Sequence, residues 1–355
     1  MKVLVLGDVH IKVSNILETE EMSKKILELA KKEVPKFIVL LGDILDRHAT
    51  INVHCLMRAQ NLIHSLSLIA PTYVLIGNHD RPNNSNFLTD EHPFNSLKLW
   101  PNTYIIDTPL DKTFELDEEN NENENKENNK KYRFLFVPYV MPGRFDEALQ
   151  KMENPYDKNI SAIFAHQEFH LCKMGAIISQ IGDKWDTDFP LTISGHIHNF
   201  DVLQANMIYT GTPLQHGYHD DDGKTVSMFT FENNSFVHER INLGLIKKII
   251  VYITPEQVAE YEPPLDKLVK LIIKGEESEI KSVIKLNKIS ELKKQGVVVA
   301  FKTIQNVEEF NSSSPSFPSF PSSPHVYKPR VTYRERLMSE IQDSNELLSW
   351  FNKIF

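Results

Sequence analysis

Val3-Leu4-Val5-Leu6-Gly7-Asp8-Val9-His10 is an apolar run that stops on a glycine, a carboxylate and an imidazole. Val3 to Leu6 suits a strand buried on both faces, as in a parallel sheet. Outward from it, Met22, Ile26, Leu29 and Ala30 recur at helical spacing, and Phe37 to Leu41 is strand-like again. Val53, Leu56, Met57 and Ile63 mark a second amphipathic helix, and Tyr73 to Ile76 a third strand. Strand, helix, strand, helix, strand requires crossover connections, which predicts parallel pairing and an α/β core.

Polar residues gather where these runs end. Asp8-Val9-His10 closes the first, Gly42-Asp43 leading to Asp46-Arg47 the second, and Gly77-Asn78-His79-Asp80 the third. His166, in Ala165-His166-Gln167, follows the strand-like Ala162 to Phe164, and Gly195-His196-Ile197-His198 follows Leu191 to Ser194. In open α/β sheets ligands bind at strand carboxyl ends. Asp, His and Asn are oxygen and nitrogen donors, and no thiolate is among them. That mix suits manganese, iron or zinc better than calcium or magnesium. Asp8 and His10 share the spacing of His196 and His198, so each pair can feed one or two ions as the chain leaves a sheet. Asp43, on a tight Gly-Asp turn, can bridge two ions, and two ions so held can clamp an in-line displacement at phosphorus. Each motif alone is weak, and an Asp-x-His at a strand end is more often structural. All of them together, in this order, are strong evidence for a metal site.

The 355 residues, 41% hydrophobic and 25% charged, allow one large domain plus a smaller one around a sizeable core. The net charge of -9 argues against a wide basic surface for nucleic acid, though not against an enzyme whose metals supply the positive charge. Cys55 and Cys172 have no metal-type or redox-type neighbours, and two reduced core thiols are favoured over a disulfide. The N-terminal apolar run is too short for a signal peptide, and no apolar stretch is long enough to span a bilayer. The expected location is a reducing, soluble compartment: the cytoplasm, or the host cell's if the chain is viral.

Residues 117–131 are polar and of low complexity, and read as a disordered insertion before the strand-like Tyr132 to Val137. Strand-like runs at Thr225 to Phe231 and Phe236 to Ile241 close a first domain of residues 1–242. A small module follows at 245–305, with strands at Lys248 to Thr254, Leu268 to Ile273 and Val297 to Lys302 and a helix over Glu279 to Lys294. Residues 306–330 form a Ser/Pro/Phe linker. In 331–355, Thr332 and Glu335 make a capping-box pair, and Leu337, Ile341, Leu348, Phe351 and Phe355 recur at helical spacing. That helix either folds back or lies against a partner, and the linker favours the partner. Among other histidines, His54, His64 and His170 read as structural. His48 is close enough to Asp46-Arg47 to line the site. His216 and His219 are open to substrate contact but are not expected as ligands.

The five motifs resemble the pattern of the calcineurin-like metallophosphoesterase superfamily: Asp-x-His, Gly-Asp-x-x-Asp, Gly-Asn-His-Asp/Glu, a lone His, and Gly-His-x-His. The resemblance implies a four-layer α/β sandwich of two mixed sheets flanked by helices, here with the small module as a capping domain and a C-terminal helix. It implies one ion on Asp8, His10, Asp43 and His198, and a second on Asp43, Asn78, His166 and His196. It makes His79 the residue that assists the leaving oxygen, oriented by Asp46, with Arg47 as a phosphate contact. Within the superfamily the chain is most similar to SbcD-type double-strand-break repair nucleases. The likeness lies in a start directly at the first motif, His92-Pro93, Trp100-Pro101-Asn102, Tyr209-Thr210-Gly211-Thr212-Pro213, and the module after residue 242. It implies cleavage of DNA with two divalent ions, manganese first and iron or zinc as alternatives. It also implies an SbcC-type ATPase gripped by the C-terminal helix, and a homodimer away from membranes. Asp46-Arg47 also resembles protein phosphatases, although His48 and Asp80 depart from their pattern. The rival readings are therefore a phosphatase or phosphodiesterase acting on a phosphoprotein or nucleotide, and a metal-binding scaffold without catalysis.

Overall fold

The computed structural model describes residues 1–304 except 49, 117–129 and 233–234. In chain order the elements are β1 (Lys2–Leu6), α1 (Ile16–Glu33), β2 (Phe37–Leu40), α2 (Val53–Ser67), β3 (Thr72–Leu75) and β4 (Thr103–Ile106). Next come β5 (Leu110–Leu116), β6 (Lys130–Val137), α3 (Phe145–Leu149), β7 (Ile160–Ala165), the short hairpin β8 (Lys173–Met174) and β9 (Ile177–Ile178), β10 (Thr192–Ser194), β11 (Asp201–Gln204) and β12 (Met207–Tyr209). The last are β13 (Val226–Glu232), β14 (Ser235–Ile241), β15 (Lys247–Ile253), β16 (Lys267–Gly275), α4 (Glu277–Val283), α5 (Asn287–Lys294) and β17 (Val298–Thr303).

Two six-stranded sheets result, in the orders β14-β13-β1-β2-β3-β4 and β11-β12-β10-β7-β6-β5. β1 to β4 pair in parallel, as the alternating pattern requires, while β13 and β14 add antiparallel strands at one edge. In the second sheet β6, β7, β10 and β12 are parallel, with β5 and β11 antiparallel outside them. Side-chain alternation fixes the layers. Val3, Val5, Phe37, Val39 and Tyr73 meet Phe134, Phe136, Phe164 and Ile193 between the sheets. Leu4, Leu6, Ile38 and Leu40 face the other way, onto Met22, Ile26, Leu62 and Ile63 of α1 and α2. Leu135, Val137 and Ile163 pack on Phe145, Leu149 and Trp185. Helices, sheet, sheet and helix make a four-layer α/β sandwich. Cys55 and Cys172 are buried and unbridged. Among the described residues no helix is long and apolar enough to cross a membrane.

Some local expectations change. Lys130 and Lys131, read as part of the polar insertion, belong to β6, where Lys131 pairs across the hairpin with Glu115 at 3.0 Å. The rest of that insertion, 117–129, lies outside the described residues, as do the linker and the C-terminal helix. The single helix expected over Glu279 to Lys294 is two, α4 and α5. At about 100° per residue, a continuous helix would point Ile289 and Leu292 away from the side of Ile280 and Val283. The break lets all of these residues share one core with Val269, Leu271 and Ile273 of the β15-β16-β17 sheet.

Candidate metal centre

The carboxyl ends of β1, β2 and β3 in one sheet and of β7 and β10 in the other converge. β1 delivers Asp8 and His10, β2 Asp43, β3 Asn78 and His79, β7 His166, and β10 His196 and His198. The loops that carry them are tied together. The His10 N–H donates to the Asp43 carbonyl and the Ile11 N–H to that of Ile44, both at 2.9 Å. The buried Asp80 carboxylate accepts from the N–H groups of Leu45 (3.0 Å) and Gly77 (3.1 Å), stapling the β2 and β3 loops. Burial and the neighbouring Asp43 push Asp80 up to about 6.

The backbone here is unrelaxed. His10, Asp43 and His196 have φ of 45°, 50° and 76°, the left-handed region that non-glycine residues rarely occupy. Glycine is required next to them. A Cβ on Gly77 would lie 2.2 Å from Asp43 Oδ1, and one on Gly42, at φ 105°, 2.8 Å from His166 Nδ1.

Two donor sets result: Asp8 with His10 and His198, and Asp43 with His166 and His196. In each, the donor atoms lie within 4.8 Å of one another. Asn78 Oδ1 joins the second set, 2.9 Å from His196 Nδ1 and 3.0 Å from His166 Nε2. Asp43 Oδ2 sits between the sets, 3.4 Å from His166 Nε2 and 3.6 Å from His10 Nε2. His10 Nε2 faces His198 Nε2 at 3.1 Å, and His196 Nδ1 faces His166 Nε2 at 3.3 Å. Ligands on one ion with bonds of about 2.1 Å stand roughly 3.0 to 3.4 Å apart at octahedral to tetrahedral angles. The buried Asp8 Oδ2 has no hydrogen-bond partner. Burial, reinforced by Asp43, pushes Asp8 up to about 7. These residues fit a pair of divalent cations.

Protonation agrees with that fit. Burial pulls His10 down, and burial with His166 nearby takes His196 to about 3, so both nitrogens are free to coordinate. Burial alone would lower His166 too, but Asp43 and Asp8 outweigh it and hold it at about 9. For Asp43, burial is outweighed by His166, His10 and His79, which keep the carboxylate far below its ordinary range. To coordinate a cation in the second set, His166 would give up its proton, so loading would be proton-coupled. His166 Nδ1 donates to the Leu41 carbonyl at 2.8 Å, which aims Nε2 at Asn78 and Asp43.

His79 lies at the rim. Its backbone N–H donates to Asp43 Oδ1 at 2.8 Å, and its Nδ1 donates to the Asp46 carbonyl oxygen at 2.8 Å, which turns Nε2 outward. This corrects the role expected of the Asp46 side chain. The main chain at residue 46 orients the histidine, because the carboxylate turns to Lys12 Nζ (3.5 Å) and His10 Nδ1 (3.9 Å) instead. His48 stacks on His79, with ring centroids 4.6 Å apart. Arg47 is exposed beside this turn and belongs to neither donor set. His216, not expected as a ligand, is a brace. Its Nε2 meets the Asp8 carbonyl oxygen at 3.2 Å, and its ring stands 5.0 Å from His10 and 5.3 Å from His198. Nothing in the sequence points to Tyr139, which walls the second set 5.8 Å from His196, nor to the buried Arg81 that donates to the Tyr139 carbonyl at 2.9 Å.

Residues 1–200 match the family model described as calcineurin-like phosphoesterase. The chain belongs to the calcineurin-like phosphoesterase family. It is a metal-dependent phosphoesterase, a hydrolase. Relatives include "Putative phosphoesterase 078R" of Invertebrate iridescent virus 3, 37% identical over 88% of this chain and 89% of that one. "Putative phosphoesterase 244L" of Invertebrate iridescent virus 6 is 38% identical over 81% of this chain and 98% of that one. Among solved structures, "GAP50 the anchor in the inner membrane complex of Plasmodium" is similar with a TM-score of 0.45 and 14% identity, over 68% of this chain and 84% of that one.

Proposed function

We propose that this phosphoesterase is a nuclease that hydrolyses DNA phosphodiesters, an exonuclease and endonuclease of the SbcD type acting in double-strand-break repair or recombination. One observation carries the reading. The paired donor sets open on the side of His198, whose side chain is 46% exposed, and Asp46, whose carbonyl oxygen holds His79, lines a cleft of about 440 Å³ together with Lys12, Arg47 and Asn52. A polymer's phosphodiester can lie across such an opening with its leaving strand in the cleft. Tyr209-Thr210-Gly211-Thr212-Pro213 and the module after residue 242 add the sequence likeness to SbcD-type enzymes.

Asp8, His10, Asp43 and His198 would hold one cation, and Asp43, Asn78, His166 and His196 the other, with manganese the first candidate. Cations held there would supply Lewis-acid polarisation of the phosphoryl group and a nucleophile at neutral pH. His79, with Nδ1 fixed on the Asp46 carbonyl, presents Nε2 to protonate the leaving oxygen. Arg47 extends a fork of donors toward the flanking phosphate. An SbcC-type ATPase bound through residues 331–355, a homodimer and a cytoplasmic location complete the proposal.

End-labelled linear duplex, a phosphopeptide and a cyclic nucleotide, each incubated with the manganese-loaded protein, separate the readings. Shortening of the duplex is expected. Intact DNA beside turnover of either small ester would replace the nuclease by a phosphoprotein or nucleotide hydrolase.

A further inference from the structure

The sheet β15-β16-β17 uses only one of its faces for its core. Ile249, Val251 and Ile253, with their neighbours on β16 and β17, point at α4 and α5. The residues between them point the other way. On that open face stand Lys248, Lys270, Lys274 and Lys302, with no Asp or Glu at any of its strand positions, in a chain of net charge -9. Lys248 is buried against Glu18 at 2.6 Å and is neutralised. Lys270, Lys274 and Lys302 have no ion pair among the described residues.

The register sharpens this. Lys274 and Lys302 are direct partners across β16 and β17, and like charges opposite one another oppose pairing. Among the described residues neither lysine has a carboxylate partner, and a bound anion would relieve the pair. Tyr252 lies on the same face, 54% exposed, with Lys274 Nζ 3.9 Å from its ring centre. Ile250, Ile272 and Val298 supply a flat apolar floor between the lysines. The face continues toward the metal centre. Leu268 and Val298 share a cavity of about 610 Å³ with His216, the brace on the Asp8 carbonyl.

We propose that the open face of the β15-β16-β17 sheet is a track for single-stranded DNA that feeds the metal centre, an inference that rests on the nuclease reading. A lysine-bearing face with an exposed aromatic ring and an aliphatic floor matches a polyanion whose bases are splayed for stacking. A duplex keeps its bases stacked inside and would use the lysines alone.

The test uses the full chain with metal chelated, so that binding is read without cleavage. Fluorescence anisotropy is measured with a labelled oligothymidylate of about 20 nucleotides, longer than one such surface needs, and with a duplex of the same length. Turnover of bis(p-nitrophenyl) phosphate in manganese reports the centre separately. Tyr252→Ala should weaken the single strand roughly tenfold, the loss of one stacked base, and leave the duplex nearly unchanged. The combined Lys270→Gln, Lys274→Gln and Lys302→Gln variant should lower the slope of log affinity against log salt by about 2, at about 0.7 for each single-strand phosphate that the lysines no longer neutralise. Both variants should hydrolyse the small diester at the parent rate, which also shows that they fold. Parental single-strand affinity in the lysine variant overturns the track while DNA cleavage by the parent keeps the nuclease reading. Equal losses for single strand and duplex in Tyr252→Ala overturn the single-strand assignment. A parent that turns over the small diester yet neither binds nor cuts DNA overturns the nuclease reading itself.

Discussion

At the metal centre Asp8, His10, Asp43 and His166 are all buried and polar, and three of the ligand candidates hold left-handed backbone. In the β15-β16-β17 module the buried residues are Ile253, Val269, Leu271, Ile273 and their like, and among its described residues only Gly296 has positive φ. The same chain thus makes one region that is strained, crowded with charge and short of partners, and another that follows strand and helix periodicity throughout. Buried charge and left-handed φ oppose folding, so the cradle is stable only because the sheets beneath it over-determine its loops. The module stabilises itself by apolar burial and leaves most of its charges in water, with Lys248 buried against Glu18 as the exception among its described residues. The two regions should therefore fail in different ways when disturbed.

The largest effect is expected at the bridge. Asp43→Ala removes the carboxylate that sits between the two donor sets. Outer-shell partners of metal ligands are typically worth about 10 to 100-fold, so loss of a carboxylate placed to bridge both ions should lower phosphoesterase turnover by about a thousandfold or more. Metal content by mass spectrometry should fall at both sites while circular dichroism stays that of the parent. Retention of both metals would break the claim that the cradle is one bridged unit.

His79 and Asp46 divide the cradle's rim. His79→Ala should reduce turnover by about a hundredfold to ten-thousandfold, the usual worth of a positioned proton donor, with both metals retained. Because the Asp46 carbonyl holds the ring, Asp46→Ala should cost less than about tenfold. A loss as deep as that of His79→Ala would return the orienting role to the carboxylate.

The contrast also explains how much was legible in the sequence. The convergence of Asp8, His10, Asp43, Asn78, His166, His196 and His198 was legible because each candidate ligand follows a short apolar run and sits in a motif a few residues long. That local chemistry survives in the linear sequence. Which atom of Asp46 meets His79 depends on the path of a loop, and no spacing encodes it. His216, Tyr139 and Arg81 act through contacts far apart in sequence, such as the 3.2 Å approach of His216 to the Asp8 carbonyl. In the module the strands were legible from their alternation. The break between α4 and α5 was hidden because both halves are good helix formers, and only the shared sheet beneath them demands a turn. The edge strands β4, β5 and β11, with β12 beside them, carry weaker apolar patterns, which the parallel runs overshadowed.

A core substitution in the module sharpens the comparison from the other side. Leu271 is fully buried on β16, beneath α4 and α5. Leu271→Ala should cost about 2 to 5 kcal/mol of stability, seen as a lower denaturant midpoint. Metal affinity of the folded protein, by calorimetry, should stay within about twofold, since sites without shared contacts behave additively. A large loss of metal affinity would mean that the regions are coupled rather than contrasted.

The smallest expected effect concerns a histidine in neither region. His238 on β14 stacks flat on Phe229 with ring centres 4.2 Å apart, and its Nε2 meets Ser227 Oγ at 2.9 Å. Burial, and then the charge of Arg240, take it from 6.5 to about 4. The unfolded chain therefore binds this proton first, and between pH 6.5 and about 4 stability falls as pH falls. The ring is partly exposed, so solvent screening reduces the effect to about 1 kcal/mol. His238→Phe with Ser227→Ala keeps the stack and removes the titrating group without stranding the buried hydroxyl. Its melting temperature, followed through that window in the presence of chelator, should decline less steeply than the parent's. Parallel curves would place the acid sensitivity in the cradle, where burial depresses His196 and His216 to about 3.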